Sequence, residues 1–278
     1  MNIRIAFFII LAGISIASCK NENSSTTKNG FKYKLFKTGK GDFIKTGDIV
    51  YLNAMLMHND SIFLDTRTNP MPFEFVMPHD SQVTNPSPIV DILPLMRAGD
   101  SAVVIQPTDS LKNLQPFMKK WKEIQHSFKI LRVVGEKEMK TVRDKEAAII
   151  TQANKDLEDY KANKLQNMKT TTSGLKYVIH QEGDGAVPKA GEVVNVLYYG
   201  AEVSNGKEFD SAYKKGAPFS VIVGQQQVIP GWDEILQTLK KGTSATVFIP
   251  SKLAYGERGI PGIIAPNSDL MFYIDVIK

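Results

Sequence analysis

The sequence predicts an α+β protein: two copies of one domain, each a curved antiparallel sheet wrapping a short helix, joined by a long helical linker. Three observations predict it. An ordered set of short segments recurs at an offset of about 144 residues. Each copy breaks into alternating apolar runs divided by glycine turns, whereas the stretch between the copies has neither glycine nor proline.

The repeat sets the frame. Gly30-Phe31-Lys32-Tyr33 returns as Gly174-Leu175-Lys176-Tyr177, and Lys45-Thr46-Gly47-Asp48-Ile49-Val50 as Lys189-Ala190-Gly191-Glu192-Val193-Val194. Further on, Gly99-Asp100-Ser101-Ala102 parallels Gly242-Thr243-Ser244-Ala245, and both runs lead to a proline, Pro107 and Pro250. A chance match would not keep its order over so many segments. At 278 residues the chain has room for two domains of roughly 100–150 residues each. We divide it into a signal segment (1–18), a flexible tether (19–29), the first copy (30–135), a linker (136–169) and the second copy (170–278).

The N-terminus reads as an export signal. Met1–Arg4 carries one positive charge, and Ile5–Ile16 is an apolar run too short for a spanning helix, which needs about 20 residues. It ends in Ile16-Ala17-Ser18-Cys19, which resembles the lipobox of bacterial lipoproteins. Cys19 is the sole cysteine, so no internal disulfide can use it, and lipidation accounts for it better. The polar Lys20–Asn29 then suits a tether between lipid and fold.

The linker is rich in Lys, Glu, Ala and Asp. Ile150, Ala153, Leu157 and Tyr160 fall on one helical face, and Glu136 and Lys140 form an i,i+4 pair. We expect one helix, or two with a break near Gln152–Asn154. A continuous solvated helix of this length would be about 50 Å long. Its apolar stripe calls for cover, from a second copy of the chain or from a neighbouring domain.

The second copy carries the most information. Val194, Val196 and Tyr198 alternate with Asn195 and Leu197, so a strand aims the first three at one face. Asn205-Gly206 supplies a turn. Pro230-Gly231-Trp232 opens a short helix whose Trp232, Leu236 and Leu239 share a face, with Gly242 as its stop. Thr246–Pro250 and Leu270–Ile277 are further strands.

The residues that carry chemistry come in a fixed order: Gly206-Lys207-Glu208-Phe209-Asp210-Ser211, Pro218-Phe219, Val228-Ile229-Pro230-Gly231-Trp232, Ala254-Tyr255-Gly256, Pro261-Gly262-Ile263-Ile264 and Phe272. Taken together, this set resembles the FKBP family of peptidyl-prolyl cis/trans isomerases. The resemblance runs from about Ser173 to Lys278. It implies that Trp232 floors an apolar cup with Tyr198, Phe209, Phe219, Val228, Ile229 and Phe272 as walls. It further implies that Asp210 and Tyr255 orient or polarise a substrate carbonyl, that the Ile229 N–H fixes the peptide, and that Ile264 closes one side. Aromatics alone would more simply be core; a single aspartate placed among them argues for a site.

The first copy lacks the set. Ala54 stands for Tyr198, Leu64 for Phe209 and Ile89 falls near Trp232, although Asp65 and Pro72-Phe73 remain. Nothing in Leu111–Glu123 resembles the Ala254-Tyr255-Gly256 segment.

Other chemistry finds no support. The net charge of +5 is modest and its signs are interspersed, which argues against nucleic acid. His58, His79, His126 and His180 have no metal-ligand spacing, and no phosphate-cradling motif occurs, so neither metal nor cofactor is implied. The resemblance therefore implies an isomerase of the bacterial cell envelope, held at the membrane by lipid. Its partners would be exported polypeptides with X-Pro bonds and macrolides such as rapamycin. The alternative is a chaperone-like protein that grips apolar proline-containing segments and turns them over incidentally.

Overall fold

The structure is a computed structural model that describes residues 25–85, 87–111, 118 and 120–278. The expected signal segment, Cys19 and the start of the tether lie outside these residues. In the N-terminal unit the strands are β1 (Ser25–Thr26), β2 (Lys32–Phe36), β3 (Ile49–His58), β4 (Ser61–Asp65) and β5 (Phe73–Val76). A short helix α1 (Pro88–Ile92) and strands β6 (Ser101–Pro107) and β7 (Glu123–Val134) complete it. Helices α2 (Glu136–Arg143) and α3 (Glu146–Lys161) follow. The C-terminal unit runs β8 (Lys169–Thr170), β9 (Lys176–Gln181), β10 (Val193–Glu202), β11 (Glu208–Ser211), α4 (Ala212–Lys215), β12 (Phe219–Ile222), α5 (Pro230–Leu236), β13 (Ser244–Ile249) and β14 (Leu270–Val276).

Each unit is a seven-stranded antiparallel sheet. The orders are β1-β2-β6-β7-β3-β4 with β5 on β3, and β8-β9-β13-β14-β10-β11 with β12 on β10. Read strand by strand, these are one and the same order. The register agrees too: Leu52 faces Phe73 in the first sheet as Val196 faces Phe219 in the second.

Alternation places Val194, Val196 and Tyr198 on the concave face of β10, where α5 packs through Trp232, Ile235 and Leu236. Leu197 and Tyr199, on the opposite face, are also buried. The cause is α3, whose Ala153 and Leu157 are buried in the same core while Ile150 and Tyr160 pack against it. Tyr160 stacks on Phe248 at 4.0 Å between ring centroids. One polar group accompanies this face: buried Asp156 accepts from the Thr246 hydroxyl at 2.6 Å and from Gln152 at 2.9 Å, and lies 3.0 Å from His180. Burial alone would favour its neutral form, but the bonds from His180, Thr246 and Gln152 outweigh that and hold the carboxyl below the usual range.

The sequence stripe thus finds cover within the chain. The helix breaks at Asp144–Lys145, earlier than the expected Gln152–Asn154. The break lets each segment meet a different surface. Met139 of α2 joins Ile49, Tyr51 and Val134 of the first sheet and Ala217 of the second unit in a small apolar cluster, while α3 lies along the second sheet. Glu136 accordingly pairs with Arg143, and Lys140 with Asp144, in place of the expected Glu136–Lys140 pair.

Two further expectations are corrected. Residues 25–29 are folded, because buried Asp91 gathers donors from them: the Thr27 hydroxyl at 2.7 Å, the Asn29 N–H at 3.0 Å and its side-chain amide at 2.8 Å. The helix at Trp232 stops at Leu236, capped by Gln237; Gly242, at φ +90°, serves the turn into β13 instead.

Because Leu157 is buried between helix and sheet, Leu157→Ala should lower the unfolding free energy by about 2–5 kcal/mol in urea titration. Exposed Lys155→Ala on the same helix should change it by no more than about 0.5 kcal/mol. Equal effects would mean that α3 is not docked on the sheet.

Candidate functional site

A helix that opens on proline has its first φ fixed and loses no backbone hydrogen bond, which makes Pro230 a firm start for α5. Two residues later, Trp232 turns its indole to the concave face and is 4% exposed. Tyr198, Phe272 and Phe219 meet it edge-on at centroid distances of 5.0, 5.3 and 6.3 Å. Phe209 meets Phe272 the same way at 5.5 Å. Such edge-to-face pairs set positive ring edges on negative faces and fix the rings against one another. Gly200 makes the arrangement fit: a Cβ there would lie 2.8 Å from both the Phe209 and Phe272 rings.

The result is a cup of about 280 Å³, lined by Tyr198, Phe209, Asp210, Lys215, Phe219, Gln227, Val228, Ile229, Trp232, Tyr255 and Phe272. Floor and rim differ sharply. Trp232, Tyr198 and Phe272 are buried, while Phe219 and Tyr255 stand 44% and 39% exposed.

One carboxylate faces this apolar space. Asp210 accepts from the Tyr198 hydroxyl at 2.5 Å and from the Ser211 N–H at 2.9 Å, and the Lys215 ammonium lies 2.7 Å away. Burial opposes its charge, but Lys215 and Tyr198 outweigh burial, so the group is held ionised below the usual carboxylate range. Burial and then the Asp210 charge push the Tyr198 phenol up, so it remains a donor. Tyr255 moves up for the same two reasons in the same order.

The third wall is a loop held from behind. Asp233 accepts the N–H groups of Gly224 at 2.8 Å and Gln226 at 2.9 Å, which sets the course of the chain into Gln227, Val228 and Ile229. Ile229 is the N-cap of α5; its carbonyl accepts from Trp232, and its own N–H has no partner among the described residues.

Nine of the ten expected pocket residues therefore come together. Ile264 does not line the cup: it is buried, and its backbone pairs with Ile260 through bonds of 2.8 and 2.9 Å that close a loop turn. Sequence reasoning missed Lys215, Gln227 and the loop-holding Asp233. Lys215 lies five residues beyond Asp210 across a strand-to-helix junction, a spacing with no helical period to signal the pair. Gln227 carried no signal.

The first unit keeps the frame without the cup. Ala54 and Phe73 hold the registers of Tyr198 and Phe219. Leu64 does not hold that of Phe209: it faces Leu56 as Asp210 faces Gly200, so Leu64 stands in the Asp210 place, Asp65 in the Ser211 place and Phe63 in the bulged place of Phe209. Counting from the proline at helix position N1, Val90, not Ile89, corresponds to Trp232. Asp65 is taken up by Arg67 at 2.6 Å. Among the described residues no cluster of His, Cys, Asp and Glu could hold a metal.

A depressed carboxyl pKa stabilises the fold above the unfolded value and loses that stabilisation as pH falls through the folded one, so Asp210 should titrate below the ordinary aspartate range. Tyr198→Phe removes one donor and should move the titration upward, read by carboxyl carbon NMR. No movement would mean that Lys215 alone governs the group.

Comparison with known proteins gives the same picture. The profile of the FKBP-type peptidyl-prolyl cis-trans isomerase family matches residues 185–277. FK506-binding protein 1 of Debaryomyces hansenii is 45% identical over 101 residues, 36% of this chain and 89% of that protein. Peptidyl-prolyl cis-trans isomerase Mip of Coxiella burnetii is 40% identical over 111 residues, 40% of this chain and 47% of that protein. For FkpA of Escherichia coli (strain K12) the figures are 42% over 114 residues, 41% of each chain. The chain thus spans less than half the length of these two bacterial relatives. With nearly all of the yeast protein matched, and with the matched segment containing the cup, the chain belongs to the FKBP-type peptidyl-prolyl cis-trans isomerase family.

Proposed function

We propose that this chain catalyses cis/trans isomerisation of X-Pro bonds in polypeptides exported to the bacterial cell envelope. The observation that carries the reading is an aromatic cup with one ionised, fully engaged carboxylate at its wall.

An amide resists rotation by about 18–20 kcal/mol because resonance stiffens its C–N bond. No bond need be broken to lower that barrier. The planar amide is the more polar state and gains more from water, so transfer to an apolar cup favours the twisted form. The proline ring lies on the Trp232 indole, between Tyr198, Phe209 and Phe272. The free N–H of Ile229 donates to a peptide carbonyl and fixes the chain. Asp210 orients the twisting amide from the wall, and the Tyr255 phenol, kept protonated, donates to its carbonyl. Lys215 neutralises Asp210, so the carboxylate orients without filling the cup with unbalanced field. Val228 and the exposed Phe219 receive an apolar side chain before proline. The Debaryomyces relative is named for FK506 binding; the same cup is proposed to take macrolides such as rapamycin here.

The lipid anchor at Cys19 and residence in the envelope rest on the n-region, the short apolar run and the residues before Cys19. Among the described residues no helix is long and apolar enough to cross a membrane. For the first unit, the common strand order and matched registers support an FKBP-like copy whose pocket has been lost. The intact Asp210, Trp232 and Tyr255 favour catalysis over mere gripping of proline-containing segments.

In a peptide isomerisation assay on the full chain, Asp210→Ala and Tyr255→Phe should each lower turnover by about tenfold, near 1.4 kcal/mol of barrier. Tyr255→Phe should leave the urea midpoint in place, whereas Asp210→Ala, which takes the acceptor from the Tyr198 hydroxyl, should also lower it. Trp232→Ala should weaken rapamycin binding as well, with a stability loss of about 3–5 kcal/mol. Wild-type turnover in all three would remove the site.

Cys19→Ser should shift the protein from the membrane fraction to the soluble one. Retention in membranes after that change would refute the lipid anchor.

A further inference from the structure

We propose that Glu146, at the start of α3, is a positioning residue for the cup, holding Asp210 and Lys215 in register through the hydroxyl of Ser211. The proposal rests on the reading of Asp210 as part of the site.

The argument begins with α4. It is four residues long, and a helix of one turn has no stability of its own in water. Yet the two charged groups of the cup wall lie at its ends: Asp210 just before the N-cap, Lys215 as its last residue. Their 2.7 Å contact therefore depends on whatever holds this turn in place.

Both ends are held by the linker helices. At the start, Ser211 is buried and uses three bonds. Its N–H goes to Asp210 at 2.9 Å, its oxygen accepts the Lys214 N–H at 3.1 Å, and its hydroxyl proton goes to Glu146 at 2.9 Å. A hydroxyl that must accept as helix cap has one proton to place, and Glu146 decides where it points. At the finish, Gly216 caps the turn at φ +80°. A Cβ there would meet Met139 Cβ at 2.9 Å and the Met139 carbonyl at 3.0 Å, so α2 lies directly against the cap. Met139 in turn is backed by Ile49, Tyr51 and Val134 of the first sheet. Neither Glu146 nor Met139 lines the cup, and both lie outside the segment that matches the family profile. The linker thus clamps a catalytic wall from behind.

The test compares Glu146→Ala, Glu146→Gln, Ser211→Ala and Asp210→Asn in the full chain, reading kcat and KM for an X-Pro peptide beside the urea midpoint. Small displacements of a site group can cost up to about a hundredfold in rate, and we expect about a tenfold loss of kcat for Glu146→Ala. KM should stay within about twofold, because the aromatic floor that binds the proline ring is untouched. Glu146→Gln keeps an accepting oxygen and should restore most of the loss. Ser211→Ala severs the same bond from the other side, so it serves if Glu146→Ala fails to fold, and adding Glu146→Ala to it should cost nothing more. Wild-type kcat in both Glu146→Ala and Ser211→Ala, or a Gln variant as impaired as the Ala one, overturns the proposal while a slow Asp210→Asn leaves the site intact. A fully active Asp210→Asn would instead remove the site reading itself.

Discussion

Strand β10 is buried on both faces, and that constraint decides where everything else in the C-terminal unit lies. Antiparallel sheets usually keep one face wet and alternate accordingly. Here Val194, Val196 and Tyr198 face α5, while Leu197, Tyr199 and Ala201 belong to the same dry core on the other side. A layer is therefore needed on the convex face, and α3 supplies it. Asp156 narrows the choice of register for that helix. A buried carboxylate without donors is costly, and only one placement brings it to Thr246 and His180 together. Once α3 is fixed, its first residue, Glu146, is fixed beside Ser211.

The concave side follows a different logic. A core would close over Trp232; the cup stays open because the residues above it are held elsewhere. Asp233 draws the 224–228 loop to one side, and the Ile260–Ile264 bridge folds the distal loop on itself. The floor is preorganised by direct ring-on-ring contacts. The only formal charges at the wall neutralise one another. Such a surface favours whichever state of a bound amide is less polar, and a twisted amide is that state.

What the sequence made legible was whatever has a local period or a fixed order. The repeat offset anticipated two sheets of one strand order. Alternation in residues 193–198 found the concave face and with it Tyr198, and the ordered motif found eight more of the cup residues. The rest was illegible for physical reasons. Leu197 and Tyr199 occupy the nominally wet phase of the strand, and only a helix more than 30 residues upstream explains their burial. The linker composition is uniformly helical, so its break at Asp144–Lys145 is set by two different docking surfaces, not by a local breaker. Residues 25–29 read as tether because they are polar; their order comes from Asp91, more than sixty residues away. Ile264 was assigned by position in a motif; it is buried in the core that holds Trp232 and Tyr198 without lining the cup.

Comparing the two units shows which substitutions empty a cup while sparing its scaffold. Both helices begin on proline and carry a buried acid at the fourth position, Asp91 and Asp233, each gathering donors from a neighbouring segment. That scaffold contact survives. Tyr198 becomes Ala54 and Trp232 becomes Val90, so the floor loses both the rings that meet edge to face and the hydroxyl that engages the carboxylate. Leu64 takes the place of the carboxylate itself, while Asp65, in the Ser211 place, caps the turn that follows and pairs with Arg67. On the opposite face of the same strand, Ile49 and Tyr51 form a bearing surface that carries Met139 against Ala217. The first unit thus contributes to the second through packing on α2, and the segment that transmits the contact is the same short turn that bears Lys215. A copy that has lost its own pocket remains mechanically part of the one that kept it.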